Sequence, residues 1–476
     1  MAITVQGLTG VFQPSYPDII DKYGVVTNVF TSSFKEYFTS SGATSYSVNK
    51  SLRFRSSASA YVSRTPAVSG NTNTWTWSGW VKRGTSGFQA IYNTSLTGNS
   101  NATYGFIGFT GGDDLLFYQY NLGTTYTYLA TTQLFRDYAA WYHIAIAYDD
   151  AQATASNRVK IYVNGSQITS FSTATYPTAS FGGYFNRAQP TYFAKDAELL
   201  AGAYFDGEMA EVNFVDGQAL APTLFGASSI YNQWLPIRYA GTYGTNGFYL
   251  PFTNTTSTST LVADSSGNAN NWTPNNISLT AGSTYDSLTD VPTLTSTTVA
   301  NYAVLNPLDK GTGLTLSNAN LTYATSGGVT AYMVRATMQI PATGKYYWEA
   351  TVVSGTPLLA GIATANANVS IYLGQDVYGW GYYTSDGKVY NNNATLATYS
   401  TATTGDVIGF AFNSDDQTFA IYKNNTIMGT LTGFTLSGTY FPAAGSLTSG
   451  GNFNFGQQPF VYTAPSGFLP LNTFNI

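Results

Sequence analysis

Three carboxylates stand close together in Asp206-Gly207-Glu208-Met209-Ala210-Glu211. Retaining glycoside hydrolysis needs two carboxyl groups about 5–5.5 Å apart, one as nucleophile and one as acid and base. Side chains alternate along a regular strand, so Asp206 and Glu208 share a face and Glu211 points the other way. Only a β-bulge would align all three. The cluster is therefore read as structural. His143 is the only histidine, which limits a Ser-His arrangement or a two-His metal site to one residue. It lies in the alternating run Trp141-Tyr142-His143-Ile144-Ala145-Ile146 and is read as half-buried and hydrogen-bonded. Cysteine is absent, which removes thiol nucleophiles, thiolate zinc sites and disulfides.

Gly111-Gly112-Asp113-Asp114 and Ser414-Asp415-Asp416 could offer oxygens to Ca²⁺, but paired Asp in a Gly or Ser turn is ordinary turn chemistry. Gly105-Phe106-Ile107-Gly108 has no Lys and no helix after it, so it does not cradle phosphate. No catalytic, cofactor-binding or metal-binding residue is assigned, and the expectation is a non-enzyme without a cofactor. Tyr offers a ligand an apolar face and a polar edge. Among 38 Tyr, those in turn-rich stretches are the candidate ligand contacts: Tyr372, Tyr383 and Tyr390, with Asn391 and Asn392 beside them.

The elements that must position these residues are strands. The chain has 476 residues, too many for one hydrophobic core. Only 9% are charged, against roughly 25% in an average soluble protein. Tyr, Thr, Val and Phe abound where strong helix formers are scarce. A net charge of −5 without a basic stripe argues against nucleic-acid binding. No run approaches the roughly 18 apolar residues of a membrane helix, and Met1-Ala2-Ile3-Thr4-Val5 lacks the basic and apolar regions of a secretory signal. A surface of Thr, Ser, Asn and Tyr also suits a homo-oligomer.

In Trp75-Thr76-Trp77-Ser78-Gly79-Trp80 alternation places Trp75, Trp77 and Gly79 on one face. Asn164-Gly165, Asp386-Gly387 and Lys423-Asn424-Asn425 are hairpin turns. Residues 227–300 hold turn clusters such as Asp264-Ser265-Ser266-Gly267-Asn268, with Phe252 and Trp272 as anchors, and read as a turn-rich connector. Residues 1–45, with Pro14 and Pro17, read as an N-terminal attachment arm.

The order Leu52-Arg53-Phe54, Trp77-Ser78-Gly79-Trp80-Val81, Trp141-Tyr142-His143-Ile144, Ile161-Tyr162-Val163-Asn164-Gly165 and Phe205-Asp206-Gly207 resembles a concanavalin A-like jelly roll of the laminin-G and pentraxin type over residues 46–226. Tyr346-Tyr347-Trp348-Glu349, Gly379-Trp380-Gly381-Tyr382, Gly405-Asp406-Val407-Ile408-Gly409-Phe410 and Phe455-Gly456-Gln457 resemble a SPRY domain over residues 301–476. The expected fold is all-β, with two tandem antiparallel β-sandwiches after the arm.

This pairing resembles virion proteins of tailed phages, especially marine ones. That resemblance implies a tail-fibre, tail-tip or head-surface adhesin that displays glycan- or protein-binding sandwiches. It implies other virion proteins as partners through the arm, a host-surface glycan or protein as ligand, and location in the virion after synthesis in the host cytoplasm. The alternatives are a capsid, tail or decoration subunit that only binds its neighbours, and a polysaccharide-degrading enzyme.

Overall fold

The computed structural model describes residues 46–96, 103–121, 123–197, 203–325, 327, 330–434 and 439–476. The arm expected at 1–45 lies outside them. The regular structure of the described residues is nearly all strand, in two successive sandwiches, each with its own core.

One sheet of the first sandwich has a central spine of three strands. Thr74–Arg83 pairs with Tyr142–Asp149 on one side and Gly207–Asp216 on the other, and Ser51–Phe54 lies beyond Gly207–Asp216. The facing sheet runs from Phe171–Thr175 through Thr124–Leu134, Asp114–Asn121, Tyr104–Phe109 and Gln89–Ser95 to Thr191–Phe193, Tyr61–Arg64 and Thr273–Asn275. Alternation does what the sequence predicts in Thr74–Arg83. Trp75 and Trp77 enter the core beside Phe117 and Phe214, while Trp80 joins an apolar cluster with Trp141. Each buried Phe or Ile there contributes about 1.5–3 kcal/mol relative to exposure.

The connector reading of 227–300 is corrected. Phe248–Leu250 pairs with Gly207–Asp216, Thr273–Asn275 with Tyr61–Arg64, and Ser287–Leu288 with Ser51–Phe54. Phe252, Leu261 and Trp272 lie in the first core. The polar turns join strands of only two or three residues, whose partners lie far away in the chain and leave no local pattern.

The second sandwich stacks two seven-stranded antiparallel sheets. One runs Leu305–Lys310, Val334–Ala336, Tyr440–Ala444, Leu359–Thr364, Gly379–Tyr383, Lys388–Asn391, Ala394–Thr398. The other runs Leu314–Ser317, Thr322–Thr325, Gly450–Asn454, Lys345–Val352, Val407–Asn413, Thr418–Lys423, Thr426–Leu431. Trp348 stacks on Phe410 and Phe419 at their centre.

So few charges leave edge strands without their usual guard. The edges Thr273–Asn275 and Leu305–Lys310 carry Pro274 and Pro307. Three uncharged edges, Phe171–Thr175, Ala394–Thr398 and Thr426–Leu431, each carry a register shift that leaves Ser172, Leu396 or Met428 without a partner. A bulge twists an edge away from a would-be partner strand.

Candidate functional site

In the strands Gly379–Tyr383 and Lys388–Asn391, Tyr382 and Val389 face the core with Trp380 packed against it, so Gly379, Gly381, Tyr383, Lys388 and Tyr390 face outward. Residues 365–378 lie across this outer face and bury Leu373 against it. The two outward glycines make the close approach possible. A Cβ on Gly381 would stand 2.8 Å from the Leu373 carbonyl oxygen and 2.9 Å from Leu359 Cδ1. Gly374 adopts φ +97°, where its backbone meets that of Tyr390.

All five candidate residues gather on or beside this face. The Tyr372 and Tyr390 rings meet edge to face with centroids 6.2 Å apart. The Tyr372 hydroxyl donates to Asn393 Oδ1, and the Tyr390 hydroxyl donates to Asp386 Oδ2. That hydrogen bond, with some burial, pushes the Tyr390 phenol up to about 12. Tyr383 is half-buried against Leu359 and Leu373. Asn391 donates its amide to the carbonyls of Gly379 (2.8 Å) and Val377 (3.2 Å), so its side chain holds the loop. Asn392, at φ 52°, lies at the exposed hairpin tip. Sequence reasoning missed the neighbouring Val377 and Tyr378, which are 48% and 42% exposed. The glycines that bracket them, Gly374 and Gly379, were the available signal.

The acidic cluster is arranged differently from its regular-strand reading. A bulge between Ala210 and Asn213 puts Glu211 at φ 51°. Met209 and Val212 both stay in the core, so Glu208 and Glu211 both leave by the outer face. Each carboxylate is held by its own partners. Asp206 accepts from Ser56 Oγ (2.6 Å) and from the backbone N–H groups of Asn318 (3.0 Å) and Ala319. Ser51 Oγ donates to Glu208 at 3.2 Å. Glu211 accepts from the Tyr46 (2.6 Å) and Tyr249 (2.9 Å) hydroxyls. Burial pushes the Glu208 and Glu211 carboxyls upward, with the Asp290 charge adding to the rise at Glu208. Glu208 is 0% and Glu211 6% exposed, so a polymer has no approach to them.

His143 is fully buried rather than half-buried, because the hairpin of Gly226–Ser228 and Trp234–Pro236 lays Trp234 over it. Its Nε2 is 2.8 Å from Ser78 Oγ, and its Nδ1 accepts from the Trp234 indole at 3.0 Å. An indole N–H can only donate, so Nδ1 is bare and Nε2 carries the proton that bonds Ser78. That tautomer cannot take a proton from the serine. Burial pushes the imidazole down to about 3.

Asp113 accepts from Arg83, Gly87 N–H and Arg136. Burial would raise its carboxyl, but these donors outweigh burial and hold it below the usual range. Asp415 accepts from Gly344 N–H at 2.8 Å, and Asp416 from Asn413 Nδ2 at 2.6 Å. Among the described residues no group of three or more His, Asp or Glu could hold a metal ion, and no helix is long and apolar enough to cross a membrane.

Family models match two parts of the chain: the concanavalin A-like lectin/glucanases superfamily over residues 56–223 and the SPRY domain over residues 345–458. Similar curated proteins include Ran-binding protein 9 of Xenopus tropicalis, 37% identical over 169 residues that cover 33% of this chain and 30% of that protein. Human Ran-binding protein 9 is 36% identical over 169 residues, covering 33% and 23%. The Drosophila melanogaster Ran-binding proteins 9/10 homolog is 31% identical over 168 residues, covering 33% and 17%. The matched part thus spans less than a third of these relatives' length. Among solved structures, the SPRY domain of human HERC1 is 16% identical with a TM-score of 0.28, covering 31% of this chain and 96% of that one.

These relatives are animal proteins, and they overturn the phage reading. The tail-fibre, tail-tip or head-surface adhesin, its capsid and polysaccharide-degrading alternatives, the virion and host-surface partners and the virion location are withdrawn together. These matches cover only a third of this chain, yet they are to animal proteins rather than virion proteins, so that part of the resemblance carried too much. The chain carries a concanavalin A-like laminin G-type domain followed by a SPRY domain.

Proposed function

We propose that the chain is a non-catalytic protein-recognition protein whose SPRY domain takes a short segment of a protein partner on the outer face formed by Tyr372, Tyr383 and Tyr390. The observation that carries this reading is the pinning of those rings. The Asn391 and Asp386 hydrogen bonds, together with the close glycine packing, hold half-exposed aromatics in place before a partner arrives. Little ordering entropy is then lost on binding. Val377 and Tyr378 extend the apolar area, and Asn392 supplies polar contact at its rim. The buried acidic cluster and the wrong tautomer of His143 support a role without catalysis. The name of the similar Ran-binding proteins makes Ran one partner to test.

The test is an unbiased peptide array probed with the full chain, alongside titration of purified Ran. Hits are re-measured calorimetrically with Tyr390→Ala and Tyr372→Ala. A central aromatic contact is worth about 2 kcal/mol or more, so binding should weaken by roughly 30-fold. Tyr231→Ala, on the other sandwich, should bind as wild type. Equal affinity of both SPRY variants, with unchanged circular dichroism, would place recognition elsewhere.

A further inference from the structure

The outer face of the first sandwich meets the start of the second at a buried contact that neither the fold nor the binding face explains. Lys82, on Thr74–Arg83, has a side chain only 3% exposed. Its Nζ lies 2.7 Å from Asp290 Oδ2, 2.7 Å from Asn301 Oδ1 and 3.3 Å from the Tyr302 carbonyl oxygen. An ammonium can only donate, so the Asn301 carboxamide must turn its oxygen toward Lys82. Its Nδ2 then donates to the Ala139 carbonyl at 2.9 Å. Asp290 is fixed from its other side by the Trp141 indole at 2.9 Å. Trp80, Trp141, Ala210 and Val291 form the apolar cluster beside these groups. Glu208, opposite Lys82 in the strand register, keeps Oε1 buried without a hydrogen-bond partner.

We propose that Lys82 and Asn301 join spontaneously in an isopeptide bond that ties the two sandwiches covalently. An amine, a carboxamide and a carboxylate held together in a dry pocket are the groups this condensation needs. Asp290 accepts a proton from the Lys82 ammonium, and the freed Nζ lone pair attacks Asn301 Cγ. The new C–N bond forms as the Cγ–Nδ2 bond breaks, and Nδ2 leaves with a proton passed from Nζ through Asp290. Net, one ammonium group and one carboxamide become one secondary amide and one ammonium ion. No oxidation state changes and no co-reactant is needed. Fixed geometry replaces a bimolecular encounter, which can supply about 7–11 kcal/mol of the barrier. Burial raises the Asp290 and Glu208 carboxyls above their ordinary range, which favours holding the proton in transit. The chain has no cysteine, so no disulfide can tie the sandwiches. Such a link stabilises as a disulfide does, by closing a long loop in the unfolded chain.

Intact mass spectrometry of the purified full chain tests this. The wild type should weigh less than its sequence by the mass of one ammonia. Proteolysis should release a branched peptide with Lys82 joined to Asn301, which separates this linkage from ammonia loss at any other Asn. Lys82→Arg and Asn301→Ala should restore the full mass and abolish the branched peptide. Since a variant that fails to fold would also show the full mass, the wild type decides. Full sequence mass, with Lys82 and Asn301 recovered in separate linear peptides, overturns the proposal.

Discussion

Replacing Asp286 by Ala should destabilise the first sandwich by about 3–5 kcal/mol, the usual loss when one partner of a buried ion pair is removed. Asp286 is fully buried and serves two cations at once. Its Oδ1 is 3.2 Å from Arg53 Nε and 2.7 Å from Arg55 Nε, and its Oδ2 is 3.0 Å from Arg55 Nη2. Those side chains are 1% and 10% exposed, so neither finds water when the carboxylate goes. The Ser278 N–H, 2.8 Å from Oδ2, is orphaned as well. Arg53 keeps the carbonyls of Ser283 and Tyr285, and Arg55 keeps that of Asn276, which places the loss toward the lower half of the range. Urea unfolding followed by circular dichroism reads it. With a slope on the order of 3 kcal/mol per molar urea, the midpoint should fall by roughly 1 M. The triple variant Arg53→Met, Arg55→Met, Asp286→Leu should recover most of the loss, because well-packed apolar replacement of a buried ionic cluster is often neutral or better. A fall of less than about 1 kcal/mol for Asp286→Ala would show that this seam is wetter or looser than its geometry implies.

Two further outcomes follow from the same geometry. His143 is depressed to about 3 from an ordinary 6.5, so between those values the unfolded chain binds the extra proton. Its contribution to stability is complete above about pH 6.5 and is lost as the pH falls toward 3. His143→Gln should flatten the pH dependence in that window relative to wild type, and an unchanged slope would mean that the imidazole is accessible. Gly381→Ala would push a methyl into the Leu373 carbonyl and Leu359. It should cost about 1–3 kcal/mol of local packing and speed proteolysis within 365–378, with an unchanged cleavage rate arguing against the close approach.

Much of the architecture was legible locally. The alternation of Trp75 and Trp77 against Thr76, Ser78 and Trp80 reads directly as a strand with one core face, and the structure places those residues accordingly. The five candidate residues were singled out because the tyrosines stand in turn-rich stretches beside Asn391 and Asn392. That Asn391 holds the loop, and that Val377 and Tyr378 extend the apolar area, depends on where residues 365–378 cross the sheet. The phage reading failed for a different reason: a fold and its domain order carry no information about the partner.

The sequence by itself determined the strand content, the two sandwiches and their order, since period-two alternation and turn residues act over a few neighbours. It also determined the absence of thiol chemistry. Only the tertiary structure decided that Glu211 shares a face with Glu208, because the bulge belongs to the pairing of Gly207–Asp216 with Thr74–Arg83. It alone decided that residues 248–288 complete the first sandwich, through three short pairings to distant strands. It also brought Lys82, Asp290 and Asn301 into one dry contact. Two of those residues lie 208 and 219 positions from Lys82 in the chain, so no local pattern could announce them.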